Sequence, residues 1–144
     1  MGELRPHKLV TGCLVLNKNE EFILITEADT GKLNFPSGGL ENETIAFGAK
    51  RENKEEAGLR VTLDSIVGFY HNHNRKGKNV LKVIYVAYPA GGKLDDYMEA
   101  CYYSRGQLSR IPDRKLHDPR AIRWAVRDYF KGIKYPLETI REYS

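Results

Sequence analysis

Val, Leu and Thr crowd residues 7–16, which predicts a strand. The polar run Asn17-Lys18-Asn19-Glu20 reads as a turn and 21–26 as a second strand, so the two are expected to form a hairpin. Residues 29–34 are turn-rich, and Phe35-Pro36-Ser37-Gly38-Gly39 reads as a loop. A helix fits 44–57, with Thr44 as its N-cap and Gly58 as its stop. Strands are predicted over 61–71 and 80–88, joined by a charged turn at 74–79, with 89–93 as loop. A short strand at 100–103 leads into a helical turn at 104–108. The last helix has Asp118 as N-cap, Pro119 at the first helical position and Gly132 as the stop. Ile122, Ala125, Val126 and Tyr129 form its apolar stripe, while Arg120, Arg123, Arg127 and Lys131 line another side. Strands mixed with helices predict an α/β (α+β) fold, a mixed sheet covered by helices on both faces.

Composition narrows the picture. The 144 residues suit one domain, 1–144, long enough to bury a core without disulfides or a structural metal. Hydrophobic residues make up 41% and charged residues 29%, which excludes a disordered chain. A mean hydropathy of −0.53 with no long apolar run predicts no membrane span. The first ten residues carry no apolar signal core, so a cytoplasmic location is expected. Cys13 and Cys101 both sit in apolar stretches and read as buried, reduced thiols rather than a redox pair. The net charge of +4 is uneven: residues 104–144 hold ten Lys or Arg against five Asp or Glu. Such a basic third suits an anionic partner, a phosphorylated metabolite or nucleic acid, or else is a solvated surface.

The first helix is the informative segment. Steps of about 100° per residue put Glu52, Glu55 and Glu56 within one arc of roughly 100°. Lys50 and Lys54 fall on the far side, and only Arg51 reaches Glu55. Ala46, Ala49, Asn53 and Ala57 form the face expected against the sheet, so the acidic arc borders a cleft. Gly48, in that arc, is expected to leave room for an ion or a phosphate. Clustered carboxylates repel, and a divalent cation would relieve the repulsion. Magnesium takes oxygen ligands and joins carboxylates to substrate phosphates. On the helix alone, a solvated acidic face steadied by Arg51 and Glu55 explains the pattern equally well.

Gly38, Glu43, Arg51-Glu52, Glu55-Glu56 and Gly58-Leu59 resemble the signature of the Nudix family. Glu43 and Arg51 have the family's spacing, and Phe35-Pro36 is similar to its lead-in. Three departures stand out: one residue fewer between Gly38 and Glu43, Ser37 in place of a glycine, and Asn53 in place of an apolar residue. A buried Asn53 would need a hydrogen-bond partner. Tyr135-Pro136-Leu137-Glu138 is similar to the C-terminus of the NudJ-like branch, whose members act on nucleoside di- and triphosphates and a thiamine-precursor pyrophosphate.

The resemblance implies the Nudix fold and a hydrolase in which water attacks phosphorus with the help of Mg2+, or Mn2+. It implies that Glu55 and Glu56 bind the metal, and that Glu52 joins them or takes the proton from the water. Arg51 would orient a glutamate, and the Ser37 or Gly38 carbonyl would complete the metal site. Glu43 would be a metal ligand or close the helix start. A further acidic residue from a later loop is expected at Asp96. His71 and Tyr135 are candidates for substrate contact, and the basic turn at Arg75, Lys76 and Lys78 is available to phosphates. The expected partner is a small phosphorylated substrate, with nucleic acid and membrane disfavoured and a monomer or homodimer as the assembly. The alternative is a non-catalytic Nudix-like module that senses a nucleotide or contacts nucleic acid through the basic last helix.

Overall fold

Strand β1 (His7–Val15) is buried from Val10 onward, so it needs cover on both faces. It receives neighbours on both edges as well. In the computed structural model, which describes residues 2–74 and 76–144, β1 pairs in parallel with β6 (Asn79–Gly92), His7 opposite Asn79 through Val15 opposite Ala87. Its other edge pairs antiparallel with β4 (Ser37–Gly39). β5 (Leu59–Asn72) folds back antiparallel on β6, giving a mixed sheet ordered β4-β1-β6-β5. A smaller sheet holds β3 (Leu33–Asn34), β2 (Phe22–Thr26) and β7 (Cys101–Tyr103), with β2 in the middle.

The period of two sorts the core. Cys13, Val15, Val83, Tyr85 and Ala87 face α1 (Ile45–Ala57), packing with its Ala49 and Ala57. Leu14, Leu16, Ile84 and Val86 face the other way, onto Leu108 of α2 (Arg105–Arg110) and Ile122, Ala125 and Val126 of α3 (Pro119–Phe130). Helices thus cover both faces, as expected. Among the described residues, no helix is long and apolar enough to cross a membrane.

Three local expectations change. Residues 17–20 do reverse the chain, with the Asn17 side chain accepting from the Asn19 and Glu21 amides. Yet β1 and β2 share only the Leu16–Phe22 bridge and then part into different sheets. Both edges of β1 are taken by β6 and β4, so no hairpin edge is left for β2. The stretch read as a loop at 35–39 contains β4, and β6 runs on to Gly92 through the stretch read as loop at 89–93. Cys13 is buried as expected, whereas Cys101, at the start of the short strand β7 on the edge of the smaller sheet, is exposed. Of the basic turn, Arg75 lies outside the described residues.

Helix ends follow the sequence signals. Gly58 ends α1 at φ 80°. The α1 start is capped twice: Phe47 N donates to Thr44 Oγ1 at 3.1 Å, and Ile45 N and Ala46 N donate to the Glu142 carboxylate at 2.5 and 3.3 Å. Asp118 caps α3 through Oδ1 while its Oδ2 receives Lys82 Nζ at 2.7 Å, tying the helix to β6. Burial raises the Asp118 pKa, but the Lys82 hydrogen bond and charge and the Ala121 amide outweigh it, and the carboxyl lies below its ordinary value. Replacing Asp118 by Ala removes cap and ion pair together, and is expected to cost about 2 kcal/mol, read as a lower urea midpoint. The wild-type advantage is present above the ordinary aspartate pKa of 3.8 and is lost as the pH falls through the lower folded value.

Candidate active site

Arg51 stands at the centre of the acidic helix face. Its Nε and Nη2 grip both oxygens of Glu43, at 2.8 and 2.6 Å. Nη1 donates to Glu52 Oε1 at 2.9 Å and to Glu55 Oε2 at 3.1 Å, and Nη2 reaches the Gly39 carbonyl at 3.4 Å. The Arg51 hydrogen bond holds the Glu43 carboxyl below its ordinary pKa, and Glu43 in turn pushes the Arg51 pKa upward. Glu43 Oε2 also accepts from the Glu41 amide at 3.0 Å. Both Glu43 oxygens are therefore engaged, which places this residue in the scaffold of the helix start.

Glu52 and Glu56 press against the β4 backbone. Ser37 N donates to Glu56 Oε1 at 2.8 Å. A Cβ added to Gly38 would lie 2.6 Å from the Glu52 carboxyl carbon, so only glycine lets the strand come this close. Burial, first of all, raises the pKa of both carboxylates, and in Glu56 it takes it to about 7. The Ser37 amide opposes this rise in Glu56, while Glu52, Glu27 and Glu55 add to it. Glu55 stays exposed at the rim.

The β1–β4 register distinguishes the two backbone carbonyls. Cys13 N donates to Pro36 O and Leu40 N to Leu9 O, so Thr11 and Gly38 form the hydrogen-bonded pair between them. The Gly38 carbonyl is thereby engaged with β1. The Ser37 carbonyl points to the opposite edge, the side on which its own amide meets Glu56.

The donor set is carboxylate and carbonyl oxygen, which suits Mg2+ or Mn2+. Among the described residues no three His, Cys, Asp or Glu side chains converge on one point, because Glu52 and Glu55 are turned onto Arg51 and Glu56 onto Ser37. Glu56 is the residue that fits a cation best. It is half-buried beside other carboxylates, and the amide of Ser37 is its one hydrogen-bond partner among the described residues.

Other expectations move. The space beside Gly48 holds no room for an ion: a Cβ there would lie 2.8 Å from Leu40 Cδ1 and 3.0 Å from Thr11 Cγ2, so this glycine serves close helix–strand packing. Asn53 Nδ2 donates to the Ala49 carbonyl at 3.2 Å, and its Oδ1 is buried without a partner among the described residues. Asp96 lies in an exposed turn beyond α1 and makes no side-chain bond to the acidic face, because Asp95 N pins that turn to Ala57 O. Tyr135 exchanges backbone hydrogen bonds with Ile66 at 2.9 Å and rests against Phe69, outside the clefts. Of the basic stripe on α3, Arg123 is consumed by Asp113 and the Leu108 and Ile111 carbonyls.

A residue the sequence reading missed is Glu27. It directly follows β2, receives His117 Nδ1 at 2.9 Å, and is among the charges that raise Glu56. Its position just past an apolar strand was the available signal. Glu27 lines a cleft of about 370 Å³ with Lys8, Asn34, Lys82 and His117, bounded by Ser37 and Gly38 of the strand that Glu56 and Glu52 press against.

A model of the NUDIX domain matches residues 6–125. A MutT-like protein of Streptomyces ambofaciens is 32% identical over 87 residues, 60% of this chain and 54% of that protein, so the chain spans about half its length. An ADP-ribose pyrophosphatase of Methanocaldococcus jannaschii is 28% identical over 116 residues, 75% of this chain and 68% of that protein. A NUDIX hydrolase from Nitrosomonas europaea superposes with a TM-score of 0.79 at 24% identity, over 96% of this chain and 98% of that one, a likeness of fold. With Glu43 and the arginine and glutamates of the acidic helix at the spacing of the signature, and a family model over most of its length, this chain belongs to the NUDIX domain family.

Proposed function

We propose that this chain is a divalent-metal-dependent hydrolase of nucleoside di- and triphosphates or other small diphosphate-linked metabolites, its 144 residues acting as one domain. The observation that carries this reading is the pair Glu52 and Glu56, packed on the β4 backbone with one oxygen of each held. A merely solvated acidic face would not pack its carboxylates where burial raises their pKa. Likeness to an ADP-ribose pyrophosphatase supports the substrate class. The Tyr135-Pro136-Leu137-Glu138 segment supports a place in the NudJ-like branch.

Glu55, Glu56 and the Ser37 carbonyl would hold Mg2+ or Mn2+, which when bound neutralises phosphate charge and lowers the pKa of water. Arg51 fixes Glu52 at 2.9 Å, and Glu52 takes the proton of the attacking water. Lys8 lines the adjacent cleft and supplies positive charge to the phosphates, Lys82 in the same wall being paired with Asp118. Attack in line on one phosphorus breaks a phosphoanhydride bond. Glu27 supplies the acidic group facing Glu56 that a later loop was expected to bring.

Glu56→Gln is expected to fold, by circular dichroism, and to lose about 100-fold or more of Mg2+-dependent phosphate release. Added MgCl2 should raise the melting temperature of the wild type and leave that of the variant unmoved. Gly38→Ala should displace the Glu52 carboxylate. It is expected to lower kcat by roughly 10-fold or more with KM little changed.

A further inference from the structure

Three of the four histidines of the chain meet on one face of the main sheet. His7 starts β1 opposite Asn79, and His71 near the end of β5 stands opposite Leu81, two positions further along β6 and so on the same side. His73 follows by the same period of two. The ring centroids of His7 and His71 are 5.0 Å apart, and those of His71 and His73 are 6.4 Å apart. All three residues are exposed, and none takes part in the proposed hydrolysis.

Their partners fix where the protons sit. The Arg5 carbonyl can only accept, so His7 Nδ1 carries a hydrogen and donates it at 3.0 Å. In the neutral ring His7 Nε2 then presents a lone pair, and His71 Nε2 donates to it at 2.9 Å. An exposed bond of this kind gains little over water. A ring anchored on a backbone carbonyl through one nitrogen, with the other nitrogen presenting its lone pair, is the usual state of a metal-ligating histidine. The spacing agrees as well. Two nitrogens each about 2.0–2.1 Å from one ion lie roughly 2.9–3.4 Å apart for angles of about 90–110°. The His7–His71 contact falls at the lower end of that range. A turn of the His71 ring, with its hydrogen passed to Nδ1, directs both lone pairs at a common ion. The three rings do not converge as they stand, and a rotation of the exposed His73 side chain brings the third nitrogen.

We infer that His7 and His71, completed by His73 and water, bind a zinc-class divalent ion. Imidazole nitrogen suits Zn2+, Cu2+ and Ni2+, whereas carboxylate and carbonyl oxygen suit Mg2+ and Mn2+. This site is therefore separate from the acidic helix in chemistry as well as in place: His7 precedes Thr11, the partner of Gly38, by roughly 13 Å of strand. A bound ion fastens the start of β1 to the end of β5 across β6.

The test uses the full chain without an affinity tag, in excess MgCl2 so that oxygen ligands are offered the harder ion. ZnCl2 at roughly 10-fold above its Kd is expected to raise the melting temperature by about 3–6 °C. His7→Ala and His71→Ala should each lose this rise, and Glu56→Gln should keep it. Cu2+ bound to the wild type should show, by EPR, splitting from at least two imidazole nitrogens. No rise in the wild type, a rise that survives both histidine variants, or a rise lost in Glu56→Gln overturns the site. Where a histidine variant fails to fold, the wild-type EPR spectrum decides, and an oxygen-only signature overturns the site. These readouts do not rest on the hydrolase reading: absence of phosphate release refutes that reading and leaves the histidine site standing.

Discussion

One guanidinium holds the centre of this molecule. Arg51 bonds to Glu43 on the approach to α1, to Glu52 and Glu55 on the helix itself, and to the Gly39 carbonyl on the strand. A planar fork with five donors can satisfy such divergent acceptors, whereas a lysine ammonium cannot. Without it, three negative side chains within two turns would repel one another, and Glu43 would lose the grip that ties the approach to α1 onto the helix face.

Arg51 does not reach Glu56, and that selectivity matters. Glu52 and Glu55 each keep a counter-charge, while Glu56 keeps only the dipole of one amide. The helix is therefore electrostatically incomplete at one place, against the Ser37 amide, where the negative charge of Glu27 adds to the burden on Glu56. The backbone of β4 contributes as much as any side chain. Its close approach, licensed by Gly38, turns a surface helix face into a wall of the site.

The helices were legible because their signals are local. Thr44, Gly58, Asp118 and Pro119 act within a few residues of themselves, and the structure uses each as a cap or first-turn residue. The composition of the acidic arc was legible because a helix has one period. Pairing between distant strands was not. Nothing near residues 17–20 records that β1 already has two neighbours, and a three-residue strand such as β4 has no pattern of its own. The placement of Glu27 near Glu56 depends on how β2 crosses the sheet, so the local sequence is silent about it. Gly48 failed as a vacancy because what fills the space beside it, Leu40 and Thr11, comes from other elements.

The double capping of α1 has a consequence for biosynthesis. Glu142 closes on the amides of Ile45 and Ala46 from 97 and 96 positions further along the chain. At ribosomal speeds of about 5–20 residues per second, the nascent helix waits roughly 5–20 s for that carboxylate to be translated. Until then Thr44 alone guards the leading turn, with water on the other two amides. The helix bearing the acidic face thus reaches its finished form only after almost every other element has been made.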